Sequence, residues 1–407
     1  MSSGDSISDV SAPIATLDDV RRAEARRLLT HLAIAGPATR TGLAEASGLS
    51  RQRVSALVPI LEATGLVETV SGSRDVSLVG RHGRLVTIVL GSMTAVATVA
   101  GLDGDEHSRF VEPYGDPGDY DHVLDVVATV LRRALGQVDR EDGTIADVVL
   151  VVPATVAGEP QLVVSDTAFG WGTVDVLAGL RERLDFLGSL VAMLPGEIRL
   201  ETAGRAAGLA ERENLPQVED LLYIGDHGGI SSAIIARGRL VDGGHGLAGD
   251  LAHLPIDYDG IRCGCGQRGC LTTVAGPDAI LERAGLADVA LEFGREAALD
   301  EFVALVHAGD DRAKWAWLDA SMWIGRALQL LAMTLDPSAI VLGGAWGRLR
   351  EDIVRGFNAN RPVLAGASLE DIPPILVAES GPEGVFVGAR ADARGRVLEE
   401  RLTGVFG

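Results

Sequence analysis

Aromatic side chains are scarce, 4% of the 407 residues, so any core must be built mainly from Val, Leu, Ile and Ala. Lysine is nearly missing: Lys314 is the only one, so arginine carries almost all the positive charge, and a phosphate loop with its own lysine is absent. There are three cysteines, Cys263, Cys265 and Cys270, all within eight residues. That spacing excludes a secretory disulfide framework and points to metal or redox chemistry. The start, Met1-Ser-Ser-Gly-Asp, has neither a basic segment nor an apolar one, so no signal peptide is expected and the protein is expected to be cytoplasmic. One uncharged run, 85–102, is long enough to cross a bilayer. Gly91-Ser92 in its middle, its β-branched content and a turn at Asp103-Gly104 make it two strands of a hairpin instead, with no membrane association expected.

What is present is acidic and globular in composition. Apolar residues are 47% and charged residues 23%, which excludes wholesale disorder, and the length suits two or three domains. With 57 Asp and Glu against 36 Lys and Arg, a net of -21, the whole surface cannot be a basic nucleic-acid binder. The charge is uneven, however. Through residue 84 ten Arg face nine acids, leaving -22 on residues 85–407. Only the N-terminal end tolerates a polyanion.

After a polar tail over 1–16, the spacing of Val20, Ala23, Leu28, Leu29 and Leu32 predicts a helix over 17–35, ended by Gly36-Pro37. A short helix over 39–47, a turn at Gly48 and a helix capped by Ser50 and closed by Gly65 follow, the spacing of a helix-turn-helix. Leu43, Ala44, Leu49, Val54, Leu57 and Leu61 fall where two crossing helices share a core. That leaves Ser50, Arg51, Gln52, Arg53 and Ser55 on the exposed first turns, with no acid until Glu62. Arg and Gln at the start of such a helix suit phosphates and base edges in a major groove, and Arg40 on the short helix joins them as a candidate. A hairpin with Arg74, Arg81 and Arg84, extending to Val86, reads as the wing, with Arg81 and Arg84 as further DNA candidates. The alternative is a three-helix adaptor or dimerisation module with solvated arginines.

Beyond residue 86, apolar β-rich runs alternate with helical segments, the pattern of a mixed α/β fold. Strands are predicted at 86–90, 95–101, 147–152, 220–225, 231–236, 339–342 and 375–378. Helices are predicted at 120–136, 173–184, 203–212, 277–284, 298–307, 311–335, 349–357 and 384–402. Two stretches, VTIVLGSMTAVATVAGLDG and LLYIGDHGGISSAIIARGRL, share a strand–glycine turn–strand form that implies two lobes built alike.

The sharpest chemistry is His253 followed by Cys263, Cys265 and Cys270 in HLPIDYDGIRCGCGQRGC. One imidazole and three thiolates satisfy tetrahedral Zn²⁺ with a closed shell, which is a structural site, and Gly264, Gly266 and Gly269 let the chain fold back. A redox-active or free thiol cluster is the alternative.

These residues resemble the ROK family of sugar-responsive repressors and sugar kinases, from about residue 20 onward. The most specific segment is GLAGDLAHLP…CGCGQRGCLT, with Val152-Pro153, Phe169-Gly-Trp171, Gly238-Arg-Leu240 and Val341-Leu-Gly-Gly344 beside it. The resemblance implies an α/β fold with a winged helix-turn-helix over 17–85 ahead of a two-lobed actin/hexokinase-like ATPase region. Its first lobe would be 86–200, joined by a C-terminal helix 384–407, and its second 201–383 with the zinc site. It carries zinc binding onto His253, Cys263, Cys265 and Cys270. It places sugar-hydroxyl contacts, and hence an effector site, at Thr202, Asp250, His253 and Thr272.

The departures from the family pattern weigh against catalysis. An Asp-x-Gly-Gly-Thr phosphate loop is replaced by Val89-Leu-Gly-Ser-Met-Thr, and a second glycine loop by His227-Gly-Gly-Ile-Ser231. The Asn-Asp pair that holds sugar and supplies the base becomes Thr202-Ala203, and Ala203 cannot take a proton. Asp250 and Thr272 stand where the family has glutamates. The expectation is a transcriptional regulator, most simply a repressor, with no catalytic residues. It would bind a double-stranded DNA operator as a homodimer or tetramer and respond to a sugar, a sugar derivative, another metabolite or nothing. A sugar kinase with an N-terminal appendage and a protein-binding winged helix are the alternatives.

Overall fold

The computed structural model describes residues 17–79, 83–165, 168–360 and 373–406. The chain divides into two compact units: Met1–Val79 with Gly395–Gly407, and Gly80–Arg394.

The first unit runs α1 (Leu17–Ala35), β1 (Ala38–Thr39), α2 (Arg40–Ser47), α3 (Arg51–Ala63), β2 (Val67–Thr69) and β3 (Asp75–Leu78). Its three strands form one antiparallel sheet in the order β1-β3-β2. Leu28, Leu29, Leu43, Val54, Leu57, Leu61, Leu66 and Val76 make its core, and Leu398 and Leu402 from the end of the chain complete it. This is a winged helix-turn-helix, as the 3.6-residue periodicity implies.

The second unit begins with β4 (Arg84–Leu90), β5 (Thr94–Ala100), β6 (Glu106–Pro113), α4 (Tyr120–Arg140), β7 (Ile145–Val152), the short pair β8 (Thr155–Ala157) and β9 (Leu162–Ser165), α5 (Val176–Arg181) and β10 (Arg199–Thr202). It continues with α6 (Ala203–Asn214), β11 (Leu221–Gly225), β12 (Ser231–Ala236), β13 (Arg239–Leu240), α7 (Leu271–Ala275), α8 (Pro277–Ala284), α9 (Ala287–Phe293), α10 (Arg295–Ala308) and α11 (Asp311–Leu335). It closes with β14 (Ala339–Leu342), α12 (Gly344–Arg348), α13 (Arg350–Asn360), β15 (Ile375–Val377) and the start of α14 (Gly384–Phe406). Two five-stranded sheets, ordered β10-β7-β4-β5-β6 and β15-β14-β11-β12-β13, share one scheme: three antiparallel neighbours followed by two parallel ones. The likeness of the two strand–turn–strand stretches thus reflects two lobes built on the same plan.

Central strands are apolar throughout because helices cover both faces. Val148–Val152 and Leu221–Gly225 are buried at every position. The amphipathic α4 lays Val123, Val127, Leu131, Leu135 and Val138 on the first sheet. The second lobe concentrates the scarce aromatics, with Trp317, Trp346 and Phe302 among its fully buried side chains.

Three expectations shift. The wing ends at Leu78, and Arg84–Leu90 instead pairs with β5 and β7 in the first lobe. The compact units accordingly part after Val79 rather than at residue 85. On the C-terminal helix Arg390 meets Glu106 of β6 at 3.1 Å, while its residues from Gly395 belong to the winged-helix unit. The tail over 1–16 lies outside the described residues.

Candidate nucleic-acid interface, metal centre and cleft

Thr39 caps α2, its hydroxyl accepting from Gly42 N at 3.1 Å, and Ser50 caps α3, accepting from Arg53 N at 3.2 Å. Between them Gly48 takes φ +67, the left-handed conformation that lets the turn reverse without a side-chain clash. Ser50, Arg51, Gln52 and Ser55 are exposed. Arg51 and Gln52 make no side-chain hydrogen bond or ion pair among the described residues. Arg40 is half-exposed and stands 3.7 Å from Glu62. Arg53 turns back to α1, its Nε and NH2 donating to Glu24 at 3.2 and 3.0 Å.

Arg81 lies outside the described residues. Arg84, expected on the wing, lies instead on β4 of the second unit, its guanidinium 2.7 Å from His107 and 3.3 Å from Glu141, because the strand that carries it pairs with β5 and β7. Among the described residues, the wing's exposed cation is Arg74, in the turn between β2 and β3. The Gly-Ser-Arg turn signalled it, though it was not singled out as a contact.

His253, Cys263, Cys265 and Cys270 converge, their donor atoms all within 4.8 Å of one another. Cys263 Sγ is 3.6 Å from His253 Nδ1, and Cys265 Sγ is 3.6 Å from Cys270 Sγ. Two sulfurs on one tetrahedral zinc stand about 3.8 Å apart, given Zn–S near 2.3 Å, so the donor set and its spacing fit such an ion. The loop is tied by Cys263 N to Gln267 O at 2.8 Å and by Gly269 N to Ile261 O at 2.9 Å. Gly269 sits at φ +66, and a Cβ there would lie 1.6 Å from Asp257 O, so no other residue fits. Burial and the neighbouring thiols push the Cys270 thiol up to about 12. The other ring nitrogen of His253, Nε2, is 2.8 Å from Ser165 Oγ on β9. Ser165, invisible in the motif, fixes the ring so that Nδ1 faces the sulfurs.

A cleft of about 610 Å³, counting solvent at its mouth, opens between the lobes. Thr155, Ser165, Thr202, Ala203, Arg205, Ser231, Asp250 and His253 are on its walls, with the glycine turn His227–Ser231. Three of the four predicted effector residues are therefore brought together. Thr272 is not on that wall; its backbone N bonds Ala252 O at 2.9 Å at the start of α7. Thr202 is committed to capping α6 through Arg205 N at 3.3 Å, and Asp250 Oδ2 accepts from Thr155 at 3.0 Å. Thr155, like Ser165, was missed because hydroxyls outside a motif carry no sequence signal.

The two glycine turns are already engaged by the protein itself. Ser92 N donates to Glu296 Oε1 at 3.2 Å, with a second bond from its hydroxyl, and Arg295 NH1 donates to Gly228 O at 3.2 Å. His227 Nε2 is 2.9 Å from the Tyr223 hydroxyl, and burial lowers the His227 pKa against the pull of Asp226. Next to Thr202 in the cleft lining, Ala203 presents only a methyl group. The cleft wall offers hydroxyls and one carboxylate, that of Asp250, for binding polar groups.

This is the geometry of a ROK protein with a winged helix in front. The ROK family pattern matches residues 87–389 and a MarR family pattern matches 19–75, and the chain belongs to the ROK family. The xylose repressor of Bacillus subtilis is 22% identical over 337 residues, 79% of this chain and 82% of that repressor. The N-acetylmannosamine kinase of Citrobacter koseri is 31% identical over 170 residues, 40% of this chain and 56% of that kinase. In fold, the chain aligns with the crystal structure of a ROK family transcriptional regulator, a homologue of the E. coli MLC protein. The TM-score is 0.70 at 20% identity, over 95% of this chain and 99% of that one. A MarR-type DNA-binding region joined to a ROK region, with repressor relatives matching along most of the chain, makes this a ROK-type transcriptional regulator.

Proposed function

We propose that the protein represses transcription by gripping a double-stranded operator with the start of α3 and the wing, through Arg40, Ser50, Arg51, Gln52, Ser55 and Arg74. The observation that carries this is the exposed, acid-free first turn of α3 on a helix-turn-helix core. A helix N-terminus with Arg and Gln enters the major groove, and two such heads in a homodimer would read successive half-sites. The acidic remainder of the chain repels DNA and confines contact to the heads.

His253, Cys263, Cys265 and Cys270 would hold a structural zinc, which supplies folding energy to the loop and leaves no open position for substrate. The cleft would bind a sugar or sugar derivative through Asp250, His253 and the neighbouring hydroxyls without phosphorylating it. Such an effector shifts operator affinity only as far as it prefers one lobe arrangement over another. The site of action is then the cytoplasm.

A gel shift on the DNA upstream of the protein's own gene tests the repressor reading: binding that weakens steeply with salt is expected, and salt-indifferent or absent binding refutes it. The kinase alternative draws on the partial match to N-acetylmannosamine kinase. Incubation with ATP and a hexose panel decides it, with no sugar-dependent ADP expected.

A further inference from the structure

We propose that Glu24 is a positioning residue for DNA recognition, holding the Arg53 guanidinium by one edge so that its other edge meets the duplex in a fixed orientation. This rests on the DNA-binding reading above and adds to it a residue from outside the helix-turn-helix.

Arg53 is the third residue of α3, inside the turn that enters the groove. Arg51 and Gln52 beside it are unrestrained, whereas Arg53 reaches 29 residues back along the chain to α1. Glu24 Oε1 accepts from Nε at 3.2 Å and from NH2 at 3.0 Å, and Oε2 lies 2.9 Å from NH2. That occupies the Nε–NH2 edge. A guanidinium has five N–H donors in a rigid fork, so the NH1 side and one NH2 proton stay available, the pair needed for bidentate contact with a guanine edge or a phosphate.

The burial of the two partners is unequal in the direction this role needs. The Glu24 side chain is only 10% exposed, while that of Arg53 keeps 41% of its surface open. A carboxylate withdrawn from water beside a polyanion-binding face is unfavourable unless a cation covers it, and Arg53 does so. An arginine already held in one conformation also loses less rotamer freedom on binding than a free one. Because Glu24 cancels its charge, the pair adds little to the long-range attraction that unrelated DNA also feels. Its contribution is directional, and so belongs to specificity.

The test uses the full-length protein, with Glu24→Gln and Arg53→Lys. Affinity is measured for the upstream fragment and for an unrelated duplex of equal length across a salt series, with thermal melting alongside. Glu24→Gln is expected to melt near the wild type and to lower the ratio of specific to unrelated binding about tenfold. Its salt slope on unrelated DNA should steepen by about 0.9 per head, since an uncancelled arginine is released. Arg53→Lys keeps the charge but not the fork, and should lower the ratio similarly; it carries the test if the Glu24 variant fails to fold. An unchanged ratio in the folded variants, or both affinities falling in parallel with melting temperature, overturns the proposal while leaving the repressor reading intact. A wild-type protein that binds no duplex overturns both.

Discussion

Removal of Arg51 offers a quantitative check on where the protein meets DNA. Three of the cations proposed above to meet DNA are exposed at the starts of α2 and α3 and in the wing turn: Arg40, Arg51 and Arg74. In the proposed homodimer two heads would make about six phosphate contacts, and the logarithm of the binding constant should fall with the logarithm of salt at a slope of about -5.4. Between 50 and 200 mM salt, that slope corresponds to a loss of roughly 2,000-fold in affinity. Arg51→Ala removes one contact per head, reducing the slope to about -3.6 and the loss over the same range to roughly 150-fold. Arg84→Ala is the control. Its guanidinium is committed to His107 and Glu141 on the other unit, so the slope should match that of the wild type. Fluorescence anisotropy on a labelled operator at several salt concentrations measures all three. An Arg51 variant with an unaltered slope, or an Arg84 variant with a reduced one, refutes the assignment of the contact face.

Three further outcomes follow from the second unit. Cys265→Ser should leave purified protein with less than a tenth of the wild-type zinc by elemental analysis, and with a lower melting temperature, because a closed site contributes folding energy. Ser165→Ala should keep all four donors yet weaken zinc binding about 10–100-fold in a competition with a chromogenic chelator, since the His253 ring loses the bond that orients it. The hydrogen bond from Arg109, supported by Arg390, holds the Glu106 carboxyl below its ordinary 4.5. Its stabilisation is therefore complete above that value and lost as pH falls through the lower, folded-state value. Glu106→Gln should be less stable at neutral pH by under about 1 kcal/mol, given the pair's exposure, and the difference in denaturant midpoint should close in acid.

How much of this was legible in the residues depended on where the information resides. Helices with one apolar face were plain: the ranges 277–284 and 311–335 agree with α8 and α11 at both ends. The central strand 339–342 agrees as well, because a doubly covered strand is a short unbroken apolar run. Strand β6 was not anticipated, since as a sheet edge it buries no residue and carries Glu106, His107, Arg109 and Glu112. The four-residue β10 and the short α7 and α9 offer too few positions for a period to show. The segment 173–184 realised only Val176–Arg181 as α-helix, with a 3₁₀ stretch following at Leu184–Met193 where Gly188 takes φ +60. The His253 and three-cysteine cluster was readable because cysteine is otherwise absent from the chain. Ser165, Thr155 and Glu24 were not, since common polar residues acquire meaning only through a partner that folding brings from a distant segment.

His253 lines the cleft, bonds through Nε2 to β9 of the opposite lobe, and turns Nδ1 toward the cysteines. One imidazole is thereby shared between the proposed effector cleft and the proposed metal site. If the four donors hold zinc as proposed, protein handled in EDTA would present candidate effectors with a cleft whose wall has lost its anchor, so any ranking of such compounds has meaning only alongside the zinc stoichiometry of the sample that produced it.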